Sequence, residues 1–68
     1  MEKIEFESEM ISVKDLLKAT NILPTGGMAK NIVREEGVIL NGEICHSPGK
    51  KMYKGDRLDF DGFEITII

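Results

Sequence analysis

Residues 25–42, TGGMAKNIVREEGVILNG, change hydrophobic period halfway along, and that change decides the fold. Thr25 suits a helix N-cap, and Ala29, Ile32 and Val33 follow at helical spacing, so a helix is expected from about Gly26 to Glu36. Gly37 is placed to stop that helix in the left-handed conformation that glycine adopts without a Cβ penalty. Beyond it the period is that of strands. Asn41-Gly42 is the dipeptide preferred in a type I′ hairpin, where both positions need positive φ. The turn sets a register of Leu40 with Glu43, Ile39 with Ile44 and Val38 with Cys45.

On the N-terminal side, Ser12 can cap a first helix over residues 13–20, with Val13, Leu16, Leu17 and Thr20 at helical spacing. Pro24 separates the two helices. Earlier still, Lys3 to Glu7 alternates, with Ile4 and Phe6 on one side, as a half-buried strand does. On the C-terminal side, Ser47-Pro48-Gly49 and Lys54-Gly55-Asp56 read as turns. Leu58 and Phe60 then point inward, Asp61-Gly62 makes a second tight hairpin, and Phe63, Ile65 and Ile67 continue the same face. The expected order is strand, helix, helix and a run of antiparallel strands. This is an α+β class in which two short packed helices lie against a small antiparallel sheet.

At 68 residues the chain suffices for one domain spanning residues 1–68 and one modest core. A single cysteine, Cys45, cannot close a disulfide within the chain, which favours a reducing cytoplasm. The start, MEKIEFESEM, has neither the basic residues nor the apolar stretch of a signal peptide. The longest apolar runs, such as Val38 to Leu40, fall far short of the roughly 20 residues that span a bilayer. No membrane partner is expected.

Net charge is -3, which argues at first against nucleic acid. The average hides an asymmetry. Met1 to Ile11 holds four acids and one base, Leu58 to Ile68 three acids and no base, and Ser12 to Arg57 eight Lys or Arg against five acids. A basic middle flanked by acidic strands makes a bipolar surface.

Catalysis needs convergent groups, and few are available. His46 and Cys45 are neighbours that a strand would send to opposite faces, and the ligands of a structural zinc site are missing. Asp59, Asp61 and Glu64 read as the solvated face of the second hairpin, with Asp59 opposite Glu64. No enzyme activity, cofactor or small-molecule substrate is expected.

The helices carry the stronger pattern. Lys14 and Lys18 are four apart on the first, and Lys30 and Arg34 four apart on the second, so each pair projects from one face. Like charges so placed destabilise a helix by roughly 0.2–0.5 kcal/mol per pair. Asp15 can offset Lys18, whereas Lys30 and Arg34 have no acid three or four residues away within their helix. The first amides of the second helix attract anions, and Gly26 and Gly27 leave them uncovered beside the Thr25 hydroxyl. Lys50, Lys51 and Lys54 form a second basic cluster in the loops after the first hairpin; if the sheet folds back beside the second helix they would line the far side of the same groove, and if not they are ordinary surface lysines. With Tyr53 nearly alone and the Phe residues facing inward, backbone recognition is expected in place of base stacking.

The segments VKDLLKATNILPTGGMAKNIVREEGVILNGEI (residues 13–44) and GKKMYKGDRLDF (residues 49–60) place these features in a familiar order. From about Ile11 to Phe63 the chain resembles the S-four RNA-binding domain, named for ribosomal small-subunit protein four, and especially its small stand-alone bacterial members. The resemblance implies binding of structured RNA, ribosomal RNA above all, along the second helix and adjoining strand loops. Carried over by position, it points to Thr25, Gly26, Gly27, Lys30 and Arg34, with Lys14, Lys18, Lys50 and Lys51 as secondary contacts; Asn41 and Gly42 match turn-forming positions. Many members are strongly basic, whereas this chain is acidic overall and has no Lys or Arg from His46 to Gly49. That departure implies weak binding alone or binding aided by a protein partner. The alternative reading is a protein-interaction module that keeps the fold and meets its partner through the acidic sheet.

Overall fold

Ser12 begins the helical part of the chain. Its backbone is extended, and its hydroxyl accepts a hydrogen bond from the Asp15 amide at 3.3 Å, satisfying one of the orphan donors at a helix start. Thr25 does the same for the second helix, accepting from the Met28 amide at 3.1 Å. The computed structural model describes residues 2–68. Its elements are β1 (Glu2–Phe6), β2 (Met10–Ser12), α1 (Val13–Ala19), α2 (Gly26–Glu35), β3 (Val38–Leu40), β4 (Glu43–Cys45), β5 (Lys51–Tyr53), β6 (Arg57–Phe60) and β7 (Phe63–Ile67). Thr20 and Glu36, expected as the last helical residues, are the C-caps.

Gly37 ends α2 at φ 82°, and its amide reaches the Ile32 carbonyl at 3.3 Å. The position also demands glycine for space. A Cβ there would stand 2.9 Å from His46 Cε1 and 3.0 Å from Ile44 Cγ1. Asn41 and Gly42 have φ of 51° and 86°, Asp61 and Gly62 48° and 82°, as two tight hairpins of this kind require. Both hairpin registers are those expected, including Asp59 opposite Glu64. The Asn41 side chain also ties the two turn regions together. Its amide donates to Asp56 Oδ1 at 3.1 Å, and its carbonyl accepts from the Arg57 amide at 2.9 Å.

The main sheet runs in the order β1-β7-β6-β3-β4. Unlike a wholly antiparallel sheet, it is mixed, because β1 lies parallel to β7 with Ile4 beside Ile65 and Phe6 beside Ile67. Parallel neighbours need a long crossover, which here is nearly the whole chain between them. A second sheet pairs β2 with β5, antiparallel. Lys51 is therefore a strand residue and not part of a loop.

One face of the main sheet packs against the helices. Leu16 and Leu17 of α1, Ala29 and Val33 of α2, and Val38, Leu58 and Ile65 of the sheet are all essentially inaccessible to solvent within one core. Alternation sends Lys3, Glu64, Asp59, Ile39 and Ile44 to the opposite face, one per strand in a continuous row. The expectation of a solvated acidic face there needs correction. Asp61 is exposed, but Glu64 is half-buried, and Asp59 Oδ1 has no hydrogen-bond partner although it is shielded from solvent. Arg57 Nε stands 3.9 Å from that oxygen, too far for a hydrogen bond.

Candidate nucleic-acid interface

The starts of the two helices are treated differently. At α1 the loop after β4 closes over the first amides: Val13 donates to the Lys50 carbonyl and Lys14 to the Pro48 carbonyl, both at 3.0 Å. At α2 the cap satisfies Met28, and Ala29 donates to the Thr25 carbonyl at 3.1 Å, but no acceptor among the described residues takes the amides of Gly26 or Gly27. Those glycines are not forced by the fold. Neither has positive φ, and outside its own helix a Cβ on Gly27 would meet nothing within 4 Å and one on Gly26 only Lys18 Cδ at 4.0 Å. A helix gains from alanine over glycine, so these positions leave stability unused and the amide end bare.

That end opens into a cleft of about 470 Å³ lined by Lys14, Gly26, Gly27, Lys30, Arg34, Pro48 and Gly49. Lys30 and Arg34 follow one another along the exposed side of α2, and no carboxylate among the described residues lies within ion-pair distance of either. The structure thus brings five of the nine residues expected from the sequence to one concave surface, with Lys18 at its rim beside Gly26. Thr25 sits at the cap, where its oxygen is already engaged by Met28.

Of the two readings of the loop lysines the second fits: Lys50 and Lys51 do not line the far side of the cleft. Pro48 and Gly49 do, because the loop is pulled onto the start of α1 by its carbonyls. Lys50 borders a separate depression with Glu43, Ile44 and His46, and Lys51 projects from β5. Asp15 interacts with Lys18 as expected, but its ion-pair partner is Lys14, at 3.6 Å, in an exposed pair of small energetic weight. Hydrogen bonding to Ser12 holds the Asp15 carboxyl below the ordinary carboxylate range; burial opposes this, and the Lys14 and Lys18 charges assist it.

Sequence reasoning gave His46 no part in the site. Its Nδ1 lies 3.1 Å from the Arg34 carbonyl, one of the unpaired acceptors at the end of α2. The ring fills the space over Gly37, so it fixes how α2 meets β4 and hence where Arg34 is carried. Only the adjacency of a histidine to a strand end could have hinted at this.

No helix among the described residues is long and apolar enough to cross a membrane. Among them, too, no group of three His, Cys, Asp or Glu residues could hold a metal ion.

A curated relative, "Probable ribosome maturation protein RlbA" of Bacillus subtilis (strain 168), is 37% identical over 60 residues, which cover 88% of this chain and 84% of that protein. The match to the S4 domain family extends over residues 4–68, from within β1 to the end of the chain, and so includes α2, the cleft and both hairpins. The chain belongs to the S4 domain family.

Proposed function

We propose that the protein binds structured RNA, ribosomal RNA in the first place, by clamping its phosphate backbone in the cleft at the start of α2. The observation that carries this reading is the junction of bare Gly26 and Gly27 amides with Lys14, Lys30 and Arg34 around one cleft, the last two unpaired with any described carboxylate. A phosphate at the amide end meets the positive pole of the helix dipole, and the next phosphates along the chain meet Lys30 and then Arg34. The repulsion between those two side chains falls as the polyanion docks. Membership of the S4 family and the similarity to a probable ribosome maturation protein support RNA as the ligand and the ribosome as its setting.

The role is recognition without a reaction. The cleft lines up cations and amides but no nucleophile beside a base. Phosphate contacts position a nucleic acid and do not read its sequence, so selectivity comes from the shape of the folded RNA. Titration of folded ribosomal RNA fragments with the wild type and a Lys30→Glu, Arg34→Glu double variant tests the proposal. The variant is expected to lose binding, and equal affinity for the two proteins would remove α2 from the mechanism.

A further inference from the structure

Among the described residues no helix or strand covers the face of the main sheet turned away from the helices. Its row ends in two cross-strand neighbours, Ile39 and Ile44, which are 37% and 62% exposed. Such an aliphatic pair on a β-edge is a liability unless something covers it. Beside it, where α2 runs into β3, lies a depression of about 280 Å³ walled by Val38, Ile39 and Phe60 and bordered by Glu36, Asp59 and Asp61. None of its lining residues is basic. Arg57, among the described residues the only cation in an ion pair with this group, stands 3.9 Å from Asp59 Oδ1, which still lacks a hydrogen-bond partner.

Three carboxylates over apolar walls repel RNA and match one kind of side chain: an aliphatic stem carrying a cation, as in arginine or lysine. The Ile39–Ile44 strip next to the depression matches an aliphatic residue. An extended polypeptide presents side chains of one face about 7 Å apart, so a single segment can place both. We infer that this face docks an extended, Arg/Lys-rich segment of a partner protein, its cation among Glu36, Asp59 and Asp61 and its aliphatic side chain over Ile39 and Ile44. The depression lies at the C-terminal end of α2 and the Ile39–Ile44 strip on the far face of the sheet, whereas the cleft opens at the start of α2, so RNA and the basic segment can be held together. The overall negative charge, at odds with RNA binding, then belongs to the protein-facing side. The inference does not rest on the RNA reading and can fail without it.

The test uses the full chain, labelled with nitrogen-15, and a synthetic octapeptide alternating arginine and leucine. Expected are amide shifts at Ile39, Ile44, Asp59 and Glu36 that saturate, with no change at Gly26, Gly27 or Lys30. Ile44→Thr and Glu36→Gln, both at exposed positions, should each weaken the peptide about ten-fold. Neither should weaken RNA binding, and well-dispersed spectra show that both fold. An octapeptide alternating arginine and glycine should bind about ten-fold more weakly if the aliphatic contact matters. The inference is overturned if the first peptide causes no shifts at millimolar concentration, if the shifts fall elsewhere, or if either variant binds as the wild type does. It is overturned equally if spermidine alone or an RNA hairpin produces the same shifts, or if the glycine peptide binds as tightly as the leucine one.

Discussion

Replacing Gly27 by alanine should make the protein more stable and worse at binding RNA. Beyond its chain neighbours and its own helix's backbone, a Cβ at this position would have no atom within 4 Å, and the residue lies in the first turn of α2 without positive φ. Alanine therefore fits, and the unfolded chain loses freedom that glycine would have given it, for a gain of about 0.5–1 kcal/mol. In a domain of this size that corresponds to a rise in Tm of about 2–8 °C. The same methyl group leans toward the helix start, across the amides of Gly26 and Gly27 that point into the cleft. Lengthening one charge-assisted hydrogen bond to phosphate should remove about 1.5 kcal/mol, or about ten-fold in affinity. Thermal unfolding followed by circular dichroism gives the first quantity, and anisotropy titration of a labelled ribosomal RNA fragment the second. A variant that is stabilised but binds RNA as tightly as the wild type would refute the placement of a phosphate at these amides. A variant that is destabilised would refute the claim that the fold does not need the glycine.

Two other perturbations have defined outcomes. Gly37→Ala is the counterpart with the opposite sign, because the residue has φ 82° and its Cβ would be driven to 2.9 Å from the His46 ring. A left-handed alanine alone loses about 1–2 kcal/mol, so chemical denaturation should show at least that decrease, and an unchanged midpoint would contradict the packing described. Asp15 titrates at a lower pH in the folded protein than in the unfolded chain, chiefly through Ser12. Its stabilising contribution is then present above the unfolded value of about 3.9 and is lost as pH falls through the folded one. Asp15→Asn should flatten the decline in stability below about pH 4 and leave the slope near neutrality unchanged; denaturation midpoints across that range decide it.

What could be read in the sequence was local chemistry. Asn41-Gly42 and Asp61-Gly62 announce their hairpins because two successive residues of positive φ admit few side chains, and each turn fixes a register by itself. The helices were legible from Ser12, Thr25 and the apolar spacing, and the bare end of α2 from its two glycines. What stayed hidden depends on chain segments far apart. The parallel pairing of β1 with β7 joins opposite ends of the molecule, and β2 and β5, at three residues each, are too short to show a period. The far wall of the cleft stayed open for a related reason. Lysine charge at 50 and 51 was visible, but hydrogen bonds from Val13 and Lys14 decide which part of that loop faces α2, and they choose Pro48 and Gly49. Asp15 shows the limit of spacing rules, since its neighbour Lys14 is the closer charge at 3.6 Å.

The central claim is that Lys30 and Arg34 each neutralise phosphate. Measuring RNA affinity against salt concentration for the wild type and for a Lys30→Met, Arg34→Met variant tests it directly, because each phosphate contact adds about 0.7–0.9 to the slope of log affinity on log salt. The account predicts that the variant's slope is shallower by about 1.4–1.8. Parallel lines for the two proteins would contradict it.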